Sequence, residues 1–198
     1  MRKIIGLALF VIFSSQVQAG DAAKGKEKSL ICGSCHGADG NSAIPANPSL
    51  AGQAESYLVK QLKDFKSKAR DNAIMSAQVA NLTEQDMQDL AAFYASQKVQ
   101  HMAVASKYIA TAQKLYRGGD SDRDIAACIA CHGANGEGMP AAGFPAIGGQ
   151  QPAYTMATLK AFRSGARNND MNGIMRDIVA KMSDEQIEAL SYYLAGLH

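Results

Sequence analysis

The 198 residues are 47% hydrophobic and 19% charged, which is enough apolar material for one ordinary domain or two small ones and too much for a disordered chain. Five Pro and 18 Gly, scattered along the chain, exclude collagen-like or low-complexity sequence, and no apolar run reaches the roughly 18 residues of a membrane-spanning helix. The 20 basic residues outnumber the 18 acidic ones only through Arg2 and Lys3, and each half of the remainder is balanced, so nucleic acid is not an expected partner.

Residues 1–19 carry the three parts of an export signal: Arg2 and Lys3, the apolar run Ile4 to Phe13, and polar residues ending in Val17-Gln18-Ala19. Cleavage after Ala19 is expected, because about ten apolar residues are too few to anchor a chain across a bilayer. A first unit, 20–100, opens with Cys32-Gly33-Ser34-Cys35-His36-Gly37. It continues through Asn47-Pro48-Ser49-Leu50-Ala51-Gly52-Gln53 to a helical stretch marked by Tyr57, Leu58, Leu62 and Phe65. Ile74-Met75 follows in what reads as a loop. Thr83-Glu84-Gln85-Asp86 then starts a last helix, a hydroxyl residue ahead of an acidic first turn. Met87, Leu90, Phe93 and Tyr94 give that helix one apolar face.

After a polar join at about 97–106, a second unit, 101–198, repeats this order. Tyr108, Ile109, Ala112, Leu115 and Tyr116 mark a helix before Cys128-Ile129-Ala130-Cys131-His132-Gly133. Then come Phe144-Pro145-Ala146-Ile147-Gly148-Gly149-Gln150, a helix with Tyr154, Leu159 and Phe162, and the pair Ile174-Met175. Ser183-Asp184-Glu185-Gln186 starts the closing helix, with Ile187, Leu190, Tyr193 and Leu194 on one face. The slowly growing offset between the halves marks an internal duplication with small loop insertions, and Arg117 to Ala127 is the main local difference. No stretch alternates apolar and polar residues in the manner of a strand, so the expected class is all-α. Domains this small bury a marginal core, and something besides side chains is expected to fill each centre.

Two thiols three positions apart can each add across a vinyl group of one haem, and the adjacent His is then held where its imidazole reaches the iron. This assigns Cys32 and Cys35, and Cys128 and Cys131, to two covalently attached haem c groups, with His36 and His132 as iron ligands. A zinc site would bring two close pairs together, a thioredoxin-like pair would follow a strand, and disulfides would leave the repeated His unexplained. The sixth ligand follows from comparing the halves. Met87 sits on an apolar helix face and is answered by Ile187, Met156 by Val59 and Met182 by Leu82, whereas Met139 has no methionine opposite. Only Ile74-Met75 and Ile174-Met175 repeat, which points to Met75 and Met175, with Met171 as the alternative in the same loop. His plus thioether leaves no open coordination position and suits electron transfer over catalysis.

The outward ring nitrogen of each His needs an acceptor; the carbonyls of Pro48 and Pro145 are candidates, and loop stiffening is the other reading of those prolines. Arg70 and Arg167 occupy matching positions and are read either as partners of haem propionates or as solvated surface residues. Lys60, Lys63, Lys66 and Lys68 form a basic cluster and Asp120, Asp122 and Asp124 an acidic one; both read as solvated, with partner steering as the alternative. His101 and His198 read as plain surface residues.

The export signal, the two attachment motifs, the Pro-x-Leu/Ile-x-Gly-Gln segments, the Ile-Met pairs and the closing helices together resemble the cytochrome c4 family of bacterial dihaem proteins, over nearly all of the chain after the signal. The resemblance implies two class I cytochrome c domains related by an approximate twofold axis, with haems facing each other across the interface. It implies a periplasmic, monomeric electron carrier, often loosely held at the cytoplasmic membrane, that passes electrons from a quinol-oxidising complex to a terminal oxidase. It also implies that Cys32, Cys35, Cys128 and Cys131 bond the haems and that His36 with Met75 and His132 with Met175 are the axial pairs. The alternative is the dihaem electron-accepting subunit of a dehydrogenase complex such as a flavocytochrome. A dihaem peroxidase would need one haem without a methionine ligand and a longer chain.

Overall fold

The computed structural model describes residues 19–198; the segment read as an export signal lies, apart from Ala19, outside the described residues. Among these described residues, ten α-helices fall into two sets of five. The first holds α1 (Ala22–Lys28), α2 (Leu30–His36), α3 (Glu55–Ser67), α4 (Ala73–Val79) and α5 (Glu84–Ala95). The second holds α6 (Ser106–Gly118), α7 (Ile129–His132), α8 (Pro152–Ser164), α9 (Ile174–Val179) and α10 (Asp184–Ala195). Among the described residues there is no strand, only two isolated bridges, Asp120 with Ile125 and Met139 with Phe144.

Local chemistry explains where these helices start. Asp21 accepts the amides of Ala23 and Lys24 at the head of α1. Thr83 and Asp86 close a reciprocal capping box at α5, and Ser183 and Gln186 do the same at α10. In each domain the first helix lies against the last, α1 on α5 and α6 on α10, and the middle helix packs on the last as well. The apolar faces expected on the closing helices are buried: Met87, Leu90, Phe93 and Tyr94 in one, Ile187, Leu190, Tyr193 and Leu194 in the other.

The two cores differ in extent. One contiguous buried cluster in the second domain has fourteen side chains, whereas the corresponding cluster in the first has five. Part of the difference comes from the segment Arg117 to Ala127, which folds back on itself through the Asp120–Ile125 bridge and drives Ile125 into the second core. Asp124 of this turn pairs with Lys181 at 3.0 Å, and Asp120 accepts from Gln186 at 2.9 Å, so these two members of the acidic cluster serve local structure. The first domain, with fewer buried side chains, depends more on what else occupies its centre.

Lys28 at the end of α1 reaches Asp86 at 2.6 Å, joining the two ends of the domain. That ion pair and the Thr83 cap pull the Asp86 carboxyl down to about 2. Its folded value therefore lies below its unfolded value of about 3.9, so the contribution to stability is complete above that value and disappears as pH falls towards 2. Asp86→Asn is expected to cost about 1 kcal/mol in thermal unfolding at pH 7. The gap to the parent protein should close when the same melts are run near pH 2.

The join is not a loose tether. Asn41 donates to the carbonyl of Lys98 at 3.0 Å and accepts the amide of Gln100 at 2.9 Å, and Met102 N–H bonds Ala195 O at 2.8 Å. Val99 sits between the two Gly-Gln turns. A Cβ at Gly52 would lie 2.4 Å from one of its methyls, and a Cβ at Gly149 would lie 2.4 Å from the other. Both glycines also have positive φ, so side chains are excluded there twice over. One β-branched residue thus touches equivalent points of both domains.

Candidate functional site

Each Cys-x-x-Cys-His motif is one short helical turn. Cys32, Cys35 and His36 lie on α2, and Cys128 immediately precedes α7, which carries Cys131 and His132. All four thiols are free; Cys35 is exposed and the other three are half-buried. Burial pushes the Cys32 thiol up and the Cys128 thiol up to about 11. Both helices end at a glycine of positive φ, Gly37 and Gly133, and a Cβ at Gly37 would lie 2.2 Å from Asn41 O.

His36 and His132 are both buried. Nδ1 of His36 is 2.9 Å from Pro48 O, and Nδ1 of His132 is 2.8 Å from Pro145 O. A carbonyl can only accept, so Nδ1 carries a proton in each ring, and in the neutral ring that leaves the lone pair on Nε2. Burial lowers the pKa of both rings, which favours this neutral form. Of the two readings of the prolines, the structure selects orientation of the histidine.

Met75 is half-buried on α4, its N–H capped by Asn72 Oδ1 at 2.9 Å, and Met175 is half-buried near the start of α9. Both therefore sit in the first turn of a short helix, a correction to the expected loop. Four residues between Arg70 and Met75 are enough to form an Asn-capped turn, and in the second domain the turn begins after the left-handed Asn172 and Gly173. Met87 and Met182 are buried in the cores, while Met139 and Met171 are exposed.

The helices α3 and α8 form where expected and also supply contacts between the domains. Leu58, Phe65, Leu159 and Phe162 are buried as their spacing implies, but Tyr57 and Tyr154 reach across the domain interface. Arg167 donates to Tyr57 at 3.0 Å and Arg70 donates to Tyr154 at 3.0 Å, a reciprocal pair. Each guanidinium also lies over a phenyl ring of its own domain, Arg70 over Phe65 and Arg167 over Phe162. Gln61 accepts from both, at 2.9 Å from Arg70 and 3.1 Å from Arg167. Neither guanidinium pairs with a carboxylate among the described residues; their acceptors are phenols and amides. Two cations gathered at one interface with neutral partners fit an acidic group bound beside them.

The basic cluster on α3 is largely committed to the chain itself. Lys60 pairs with Asp64 and bonds Asn169 O, Lys63 pairs with Glu84, and Lys66 bonds Leu82 O. His101 and His198 are exposed, with rings 5.2 Å apart. Residues that sequence reasoning left out are the interface polar ones, Gln53, Gln61 and Gln150. Gln53 and Gln150 could have been found, because they recur at the same place in both halves of the duplication. Gln61 has no such signal.

Two small helical domains, each presenting a helical Cys-x-x-Cys-His turn whose imidazole is oriented by a proline carbonyl, define a tandem c-type cytochrome. The Cytochrome c family matches residues 22–98 and again 109–198. Cytochrome c4 from Pseudomonas aeruginosa is 45% identical, covering 91% of this chain and 90% of that protein. The thiosulfate dehydrogenase electron acceptor of Stutzerimonas stutzeri is 36% identical, covering 94% of this chain and 91% of that protein. The crystal structure of reduced cytochrome c4 from Pseudomonas stutzeri superposes with a TM-score of 0.88 at 45% identity, over 91% of this chain and all of that one. The chain belongs to the cytochrome c4 family. It is a dihaem c-type cytochrome, an electron carrier rather than an enzyme.

Proposed function

We propose that Cys32 and Cys35 bond one haem and Cys128 and Cys131 the other. His36 with Met75, and His132 with Met175, are the axial pairs, and Arg70 and Arg167 face the propionates. The supporting observation is the same in both domains: a buried, neutral imidazole with Nδ1–H given to a proline carbonyl and Nε2 free. When bound, haem iron supplies reversible one-electron chemistry, and His/Met ligation raises its potential and fills both axial positions. The protein's own part is to fix the ring orientation, to exclude water around it and to hold the two domains at a constant spacing.

The site of action proposed is the periplasm, with electrons passing from a quinol-oxidising complex to a terminal oxidase and loose association with the cytoplasmic membrane. Among the described residues no helix is long and apolar enough to cross a membrane. The protein works as a monomer in this reading, with residues 20–100 and 101–198 as its two domains. A second reading, an electron acceptor for a dehydrogenase, is favoured by the relatives that carry that description.

Holoprotein matured in an exporting host should contain two irons per chain and titrate in visible light as two one-electron steps. Colourless, iron-free protein from a host with working maturation machinery would overturn the assignment. Reduction of the purified holoprotein by a purified thiosulfate dehydrogenase with its substrate, faster than by quinol-oxidising membranes, would favour the second reading.

A further inference from the structure

The peptide unit between Pro48 and Ser49 is used at both ends. Its C=O accepts His36 Nδ1–H, and its N–H donates to Gln150 Oε1, a side chain of the other domain, at 2.8 Å. Gln150 Nε2 returns a bond to Ser49 O at 3.0 Å. The arrangement is repeated in mirror sense. The peptide between Pro145 and Ala146 accepts from His132 Nδ1 and gives its N–H to Gln53 Oε1 at 2.9 Å, while Gln53 Nε2 bonds Ala146 O at 2.8 Å. Gln53 is buried, and both glutamine carbonyls are steadied by the amide of the next residue.

We propose that Gln53 and Gln150 are crossed positioning residues. Each completes a hydrogen-bond relay, glutamine to peptide to imidazole, that tunes the axial histidine of the opposite domain. The physical reason is the conjugation of the peptide bond. A hydrogen bond accepted from its N–H increases the negative charge on its own C=O, which then binds Nδ1–H more strongly. A more strongly bound Nδ1–H makes Nε2 a better donor to iron and favours the ferric state. Each domain thus sets part of the other's reduction potential through one planar group, with no charged side chain in the relay itself. The inference rests on the axial assignment proposed above.

The test uses the holoprotein and its Gln150→Met and Gln53→Met variants, with each haem's potential and each axial histidine's Nδ1–H followed by NMR. Gln150→Met should raise the potential of the His36 haem, shifting its ferric-to-ferrous equilibrium by about twofold or more. Solvent exchange at His36 Nδ1–H should speed up about fivefold, the scale of one lost neutral hydrogen bond. The His132 haem should stay unchanged, and Gln53→Met should give the converse. Gln150→Glu keeps the acceptor for Ser49 N–H but loses the donor to Ser49 O, so His36 Nδ1–H exchange should remain near that of the parent. Effects that fall on the variant's own domain, on both haems equally or on neither would overturn the relay, as would a Glu variant that behaves like the Met variant. A parent protein without iron-shifted histidine signals would refute the ligation itself, a separate outcome.

Discussion

Replacing Met175 with alanine is expected to remove half of the thioether-to-iron absorption of the oxidised protein, and Met75→Ala the other half. Each variant should lower the potential of its own haem by a few tenths of a volt, a large part of the roughly 0.8 V range that axial ligation spans. The expectation rests on two matching positions. Both methionines lie half-buried in the first turn of α4 or α9, whereas Met87 and Met182 are packed in the cores. Met171 is exposed, next to a left-handed Asn172, and is the competing candidate. Visible spectra and redox titrations of Met171→Ala and Met175→Ala decide between them. If the first loses the band and the second keeps it, the assignment for the second domain is wrong.

The second large effect concerns Gly25. This residue is buried where α1 crosses α5, and a Cβ there would lie 1.9 Å from Asp89 O and 2.8 Å from the Cβ of Phe93. Alanine would gain up to about 1 kcal/mol from helix propensity. Against this, the obstacle is a backbone carbonyl inside a helix, which cannot swing aside, so α1 must lift off α5. Overpacking of this kind costs about 3 kcal/mol or more, and the steric term wins. Asp21 N–H, which bonds Asp89 Oδ1 at 2.9 Å, would be pulled away in the same movement. Gly25→Ala should therefore destabilise the first domain by about 2 kcal/mol net, measured by denaturant unfolding of the holoprotein. A variant as stable as the parent would show that α1 is not held at this crossing. With the smaller contiguous core, the first domain should also unfold ahead of the second.

These two cases mark how far linear sequence reaches. The spacing of Met87, Leu90, Phe93 and Tyr94 places one helix face towards a core, and that face is buried, because periodicity is a property of a contiguous segment. The same reasoning placed Tyr57 and Tyr154 on helices, as found, but carried nothing about what their hydroxyls meet. Their rings continue the apolar pattern, but their hydroxyls meet guanidiniums about a hundred residues away in the chain. The proline carbonyls were legible only as one of two readings, since a loop of a dozen residues can bring its carbonyl back to the histidine or leave it in solvent. Arg70 and Arg167, equally open from sequence, are gathered at the interface by the pairing of the two domains.

By itself the sequence determined the all-helical class, the duplication, both Cys-x-x-Cys-His motifs and which methionine recurs between the halves, because each depends on residues close together or on a comparison of one half with the other. Only the tertiary structure decided that Val99 is shared between Gly52 and Gly149, that the methionines begin short helices, and that Gln53 and Gln150 are exchanged between the domains. Those features arise where two surfaces meet. No local preference of either segment encodes which atoms of a distant partner will lie within hydrogen-bond reach.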